Sequence, residues 1–334
     1  MTRRPLLLTA VLATAAVASA CGAGGASDGA PDTSAFAEPV TVENCGAELT
    51  FDAPPERVVM LKSQAVPFLH ELGAMDRVVA RAGEFPSEYY DEATLAELDQ
   101  VPLLTDQLDT SGHLQISKEV VVAQRPDLVL GEVDNLSRGA LEAVGVPLLE
   151  EPALCETTGV RPSYDDVWSQ TALYGEVFGE PERAEEAVTA MQERVAGLEA
   201  EVADRPARTA AVLYPTVGGG VTYAYGTGSM AQPQLEAAGF ENVFDDVDER
   251  VFEVGPEELL GRDPDVLVLL HSAGDPAAVE DAVTSLPGAE DLTAVRDDAL
   301  VTQLFNFTEP PSPLAIDGLE QIIDATDPDG PGSP

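Results

Sequence analysis

Polar and aromatic side chains that could hold a ligand fall at the ends of apolar runs throughout this chain of 334 residues. Lys62, Ser63 and Gln64 follow the run at 57–61. Thr105, Asp106 and Gln107 follow 101–104, and Glu132, Asp134 and Asn135 follow 127–131. Further along, Tyr214, Tyr223 and Tyr225 sit close to run ends, His271 follows 266–270, and Asn306 and Phe307 follow 300–305. In open α/β sheets, ligands bind outside the carboxyl ends of strands, so this set predicts a binding cleft. Lys62 is one of only two lysines. Its ammonium at a strand end suits an anionic or carbonyl-rich group, an ordinary surface lysine being the alternative. Tyrosines supply contact area with a hydrogen-bonding tip; for these three the alternative is plain strand preference. Phe85, Tyr89 and Tyr90, from a loosely patterned region at 83–100, are further candidates for the wall.

Bond-making chemistry has little support. Gly226-Thr227-Gly228-Ser229-Met230-Ala231 has the G-x-G-x-x-A form of a dinucleotide turn, with Asp246 and Asp248 about twenty residues on. It comes late in the chain, and two glycines at a tight strand-to-helix turn suffice to explain it. Neither H-E-x-x-H nor a P-loop lysine occurs. His70, His113 and His271 have no short spacing, so no zinc site is expected. The acidic run at 245–249 lacks the spaced loop of a calcium site. A haem iron would want an axial His or Tyr, which His271 with Tyr214 or Tyr225 could supply. No catalytic residue, cofactor or resident metal is expected. Beside Lys62 no arginine falls clearly at a strand end, which favours a ligand that is neutral, cationic or internally compensated.

The elements that must position these residues are legible from periodicity. Ala184, Val188, Met191, Val195, Leu198 and Val202 recur at steps of four and three, the stripe of one helix face, with charged residues on the other faces. Val167, Thr171, Tyr174 and Phe178 form a shorter helical piece before it. Gly179 and Pro181 break the two apart, and Pro206 closes the block. Before this block, strands are expected at 57–61, 76–80, 101–104, 127–131 and 146–149, and helices at 66–72, 117–124 (capped by Ser117) and 137–144. After it come strands at 209–214, 221–225, 266–270 and 300–305, with helices at 229–238, 257–260, 276–285 and 313–325. A hairpin at 41–51 precedes everything. The segments at 125–130 and 262–269 read as one unit used twice. The predicted fold is α/β: two three-layer lobes at 41–163 and 206–326, joined by a helical strut at 164–205, with the cleft between them.

Charge and the amino terminus narrow the setting. Sixty acidic residues against 17 basic ones give a net charge of −43, which repels nucleic acid and anionic lipid. Arg3 and Arg4 precede an apolar run at 5–17, too short to span a membrane but suited to a signal peptide. The run ends Ala18-Ser19-Ala20-Cys21, which resembles the bacterial lipobox, with Ala18 where Leu is usual. Residues 1–20 are thus expected to be removed and Cys21 lipidated, plain secretory cleavage being the alternative. Residues 21–40 read as a flexible tether and 327–334 as a disordered tail. Of the remaining cysteines, Cys45 and Cys155 form an even pair in an exported chain, which points to a disulfide; two buried thiols are the alternative.

Taken in order, Glu56-Arg57-Val58-Val59, the segment at 72–79, Pro126-Asp127-Leu128-Val129, the segment at 235–244, Pro264-Asp265-Val266-Leu267 and Phe307-Thr308-Glu309 resemble a known family. It is the iron-siderophore, haem and cobalamin class of substrate-binding proteins of ABC importers, and the likeness spans about residues 40–326. Asn44-Cys45-Gly46 with Cys155 looks like its actinobacterial branch. The resemblance implies capture of a ferric siderophore, haem or corrinoid by a monomer, then delivery to an ABC permease and its ATPase, with contact to the membrane only through the lipid anchor. It also implies a docking glutamate on the first helix of each lobe. In lobe one that position is Pro67, so Glu71, one helical turn later, is the candidate; in lobe two it is Glu236. The departure at Pro67 leaves open a ligand sensor uncoupled from transport.

Overall fold

The computed structural model describes residues 35–109, 113–152, 155 and 161–327. The expected signal peptide, the expected lipidation site Cys21, most of the expected tether and the tail beyond 327 lie outside them. Val40–Asn44 (β1) and Ala47–Phe51 (β2) pair antiparallel across Cys45 and Gly46. Both turn residues take positive φ, 51° and 73°, the backbone that a two-residue hairpin loop demands. Arg138 anchors the hairpin, donating to Asn44 Oδ1 (2.7 Å) and Glu150 Oε1 (2.8 Å). Cys45 and Cys155 are joined in a disulfide with a Cα separation of 5.2 Å.

The first lobe is laid down as Val58–Met60 (β3), Ala65–Glu71 (α1), Val78–Arg81 (β4), Glu92–Leu98 (α2), Lys118–Ala123 (α3), Leu128–Leu130 (β5), Arg138–Glu142 (α4) and Leu148–Leu149 (β6). Its strands are all parallel, in the order β4-β3-β5-β6. Helices cover both faces, so β3 and β5 are apolar at every position and fully buried. Ser117 caps α3, accepting from the Val120 N–H as expected. Two details differ from the periodicity reading. The expected strand at 101–104 is a single bridge from Leu103 to Arg81, because Pro102 has no N–H to extend a ladder. The loose region at 83–100 holds α2, started by Asp91, whose carboxylate accepts the Thr94 N–H.

The strut consists of Tyr164–Phe178 (α5) and Pro181–Val202 (α6). Ser163 and Asp166 form a capping box at its start. Gly179, at φ 71°, ends α5, and Pro181 opens α6 at a position where its missing N–H costs nothing. Ala184, Val195, Leu198 and Val202 of the predicted stripe are buried. Tyr164, Trp168 and Met191 pack against the apolar cores of both lobes, and the Tyr164 and Trp168 rings stack at 6.0 Å. Met191→Asp would drive a charge into this junction. It is expected to cost about 2–3 kcal/mol and to lower the melting temperature by several degrees; an unchanged melting temperature would refute the helix register.

The second lobe runs Arg208–Pro215 (β7), Thr222–Tyr225 (β8), Ala231–Ala237 (α7), Phe240–Asn242 (β9), Val251–Val254 (β10), Pro256–Arg262 (α8), Val266–His271 (β11), Pro276–Thr284 (α9), Thr293–Arg296 (α10), Leu300–Leu304 (β12) and Leu314–Ala325 (α11). The sheet order is β10-β8-β7-β11-β12, with β9 beside the start of β7. Strands β7, β9, β11 and β12 are parallel. By contrast β8 runs antiparallel to both of its neighbours, β7 and β10, and neither β9 nor β10 was signalled by the sequence pattern. Among the described residues no helix is long and apolar enough to cross a membrane.

Candidate functional site

The carboxyl ends of the parallel strands of both lobes face one cleft. It has a larger compartment of about 660 Å³ and a smaller one of about 230 Å³, which share Gly83, Glu84, Pro86 and Ser272. The larger volume lies within the range of about 300–1,000 Å³ usual for small-molecule sites. Lobe one contributes the loops after β3 and β4; lobe two contributes those after β11 and β12.

The strand-end rule found part of this lining. Lys62, Ser63, Gln64 and Asn306 line the smaller compartment. Phe85, Asp106 and His271 line the larger one. Tyr214 stands beside them, its hydroxyl 3.0 Å from Ser272 Oγ and its ring 6.1 Å from that of Phe305. Tyr90 is buried behind the wall and donates to the Ser63 carbonyl at 2.8 Å, so it shapes the loop from below. Asn135 is exposed on the loop after β5 and lines neither compartment.

Two tyrosines part company because β8 is antiparallel. Tyr223 lies opposite Tyr214 and is 37% exposed. Tyr225 is further along β8, toward the end of the sheet away from the cleft. It is 4% exposed and belongs to the lobe-two core with Ala231 and Leu235. The expectation that it sits at a cleft-facing strand end needed a parallel strand. Glu71 and Glu236 are both exposed on α1 and α7; Glu236 accepts from Gln232 Nε2 at 2.7 Å.

Polar bridges cross the cleft floor. Tyr89 donates its hydroxyl proton to Asn306 Oδ1 (3.1 Å) and accepts the Asn306 N–H (2.9 Å). Asn306 Nδ2 reaches Gln64 Oε1 at 3.5 Å. Behind Lys62 and Gln64 lies Glu151, a carboxyl with 6% exposure just past β6. Burial pushes it up to about 8, against the pull of Lys62 and a hydrogen bond from Gln64. Burial also lowers the Lys62 ammonium, opposed by Asp134, Glu132 and Glu151.

Arginines reach the cleft where the sequence reading placed none. Arg81, at the carboxyl end of β4, lines the larger compartment, with its guanidinium 5.0 Å from the Phe85 ring centre and Nε donating to the Val101 carbonyl. It immediately follows the expected strand at 76–80, so the strand-end rule applied there would have found it. Arg250 lines the smaller compartment and is paired with Glu309 at 2.6 Å. It precedes the unsignalled strand β10, so no local pattern pointed to it. His113 also lines this compartment, with Nδ1 2.8 Å from Asp134. No cluster able to hold a metal ion occurs among the described residues.

The G-x-G-x-x-A turn has a structural cause. A Cβ at Gly226 would lie 2.4 Å from the Val247 carbonyl oxygen, and one at Gly228 would lie 2.8 Å from that of Asp248. The segment at 247–250 crosses directly over the turn. Three backbone donors of the turn are already used: Gly226 N–H to Arg250 O, Thr227 N–H to Val247 O, and Met230 N–H to Glu309. Those donors are therefore not available to cradle a phosphate.

Two α/β lobes, a helical strut and a lined cleft between them define a solute-binding architecture. Residues 58–303 match the periplasmic binding protein family, and the chain belongs to that family; it is a binding protein, not an enzyme. It is similar to a crystal structure described as an ABC-type Fe3+-hydroxamate transport system from Saccharomonospora viridis, with 56% identity, a TM-score of 0.81, and coverage of 86% of this chain and 98% of that one. It is also 27% identical to a cobalamin-binding protein of Halobacterium salinarum over 83% of this chain and 71% of that protein. A periplasmic heme binding protein from Pseudomonas aeruginosa shares the fold at 22% identity, with a TM-score of 0.66 over 83% of this chain and 94% of that one.

Proposed function

We propose that this protein captures a ferric hydroxamate chelate outside the cytoplasm and hands it to an ABC permease and its ATPase. The observation that carries this reading is the state of the cations in the cleft. Lys62 faces Asp134 and Glu132, Arg250 is paired with Glu309, and Arg81 shares its compartment with Glu84, Glu88 and Asp106. Such a cleft offers N–H donors with little surplus positive charge. A ferric trihydroxamate matches it, because three hydroxamate anions cancel the ferric charge and leave carbonyl-type oxygens at the surface. A ferric tricatecholate keeps a triple negative charge, which would meet both these carboxylates and the field of a −43 chain. The likeness to the Saccharomonospora structure supports the same ligand class. Haem is less well matched, since Tyr225, one of two tyrosines considered as an axial ligand with His271, is buried in the core.

In this reading the exposed Glu71 and Glu236 are the docking carboxylates of the two lobes, Cys21 carries the lipid anchor, and the protein works as a monomer on the outer face of the cell membrane. The test is a titration of the soluble form lacking residues 1–21, followed through Trp168, the single tryptophan. That ring touches both lobe cores. Saturable change is expected with a ferric trihydroxamate, at least about tenfold tighter than with a ferric tricatecholate, equivalent to about 1.4 kcal/mol. Saturation by haem or a corrinoid instead, or by none of the four, would overturn the assignment.

A further inference from the structure

Arg250 owes its position to contacts made far from its own strand. Its carbonyl accepts the Gly226 N–H at 3.3 Å, and a Cβ at Gly228 would lie 2.9 Å from the Arg250 nitrogen. The β8–α7 turn therefore fixes the backbone of Arg250. Glu309 fixes its side chain: Arg250 Nε and Nη2 lie 2.7 and 2.6 Å from Glu309 Oε2. The other carboxylate oxygen accepts the Met230 N–H at 2.5 Å. Glu309 is 1% exposed and Arg250 34% exposed. One member of the pair is thus sealed in lobe two, while the other borders the cleft compartment that Lys62 also lines.

A guanidinium has five N–H donors in a rigid fork. With Nε and Nη2 directed at Glu309, donors remain on the side facing the cleft. Burying an ion pair in this way is costly, and an apolar pair of similar size is often as stable or more so. Stability alone is a weak reason for the arrangement.

We propose that Arg250 is a ligand contact and that the buried Glu309 is its positioning residue, aiming the guanidinium at chelate oxygens and cancelling its charge so that the cleft takes a neutral chelate over an anionic one. This inference rests on the hydroxamate reading above and extends it to the determinant of ligand charge. Arg250 and Glu309 act as a unit, with Lys62, Asp134 and Glu132 as the counterpart in lobe one.

The experiment compares wild type, Glu309→Gln and the double variant Arg250→Leu/Glu309→Gln in the soluble protein. Each is titrated with a ferric trihydroxamate and a ferric tricatecholate at low and high salt, and its melting temperature is recorded. Glu309→Gln leaves an amide able to accept from Met230 but leaves Arg250 uncompensated. The ratio of tricatecholate to trihydroxamate affinity is expected to rise about tenfold in this variant, and the rise to shrink in high salt. A purely structural role would weaken both chelates alike. The double variant removes both partners together, so no buried charge is stranded, and it should bind the trihydroxamate at least about tenfold more weakly. Wild-type binding with an unchanged ratio in Glu309→Gln, or an unchanged affinity in the double variant, would overturn the inference. Wild-type protein that saturates with neither chelate would overturn the hydroxamate reading itself, and the inference with it.

Discussion

Glu151→Gln is expected to stabilise the protein at pH 8 and to flatten the dependence of its stability on pH. The Glu151 carboxyl rises from an ordinary 4.5 to about 8, chiefly through burial. Between those values the folded protein holds a proton that the unfolded chain has already lost. The contribution is therefore complete below pH 4.5 and is lost as pH climbs through 8. At about 1.36 kcal/mol per tenfold change in proton affinity, the whole span is worth roughly 5 kcal/mol, an upper bound. Glutamine keeps the size and polarity without a proton to lose. The groups facing Glu151 are Lys62 and Gln64 on the β3–α1 loop and Tyr174 on α5. Urea denaturation of both proteins from pH 5 to 8.5 is the measurement. Wild type should weaken by several kcal/mol across that range and the variant by much less; parallel curves would show that Glu151 is ionised throughout. Lys62 and Gln64 line the cleft, so this buried acid lies directly beneath the candidate site.

The second large effect is expected from a single methyl group. A Cβ at Gly318, on α11, would sit 1.9 Å from the Phe307 carbonyl oxygen and 2.7 Å from its carbon. No rotamer change relieves a clash with backbone, and this carbonyl is held in place by Gln234 Nε2 at 2.6 Å. Gly318→Ala must move α11 or the turn Phe305–Phe307. A cost of about 3 kcal/mol or more is expected, at the upper end for overpacking. The turn carries Asn306, whose N–H and side chain meet Tyr89 and Gln64 across the cleft floor, so chelate affinity should fall with stability. Gly197→Ala, in the exposed part of α6 with nothing within 4 Å of the added carbon, is the control. It should raise stability by about 0.5–1 kcal/mol. Similar urea midpoints for the two variants would contradict the tight α11 contact.

Periodicity by itself determined most of the architecture. The stripe through Ala184, Val195, Leu198 and Val202 made α6 and its buried face, because side chains three and four apart must share a helix surface. The apolar runs at β5 and β11 declared strands covered on both sides, and all six residues of β11 are buried. With parallel strands given, the strand-end rule located Lys62, Gln64 and His271 along the cleft.

Tertiary structure decided the rest, wherever the outcome depends on a partner distant in sequence. Strand direction is one case. Nothing within 222–225 says that β8 runs against β7, yet that direction sends Tyr225 into the core and leaves Tyr223 exposed. Charge pairing is another: Glu309 meets Arg250 across 59 residues, and only this contact turns an ordinary glutamate into a buried partner of a cleft arginine. Close approach is a third. Gly226 and Gly228 mimic a nucleotide turn in the sequence, whereas the segment packed over them is what excludes a side chain. Proton affinity is the last, since Glu151 titrates near 8 only because the fold removes it from water. Local sequence encodes which face of an element is apolar. Direction, pairing, clearance and desolvation are set by what the fold brings against that face.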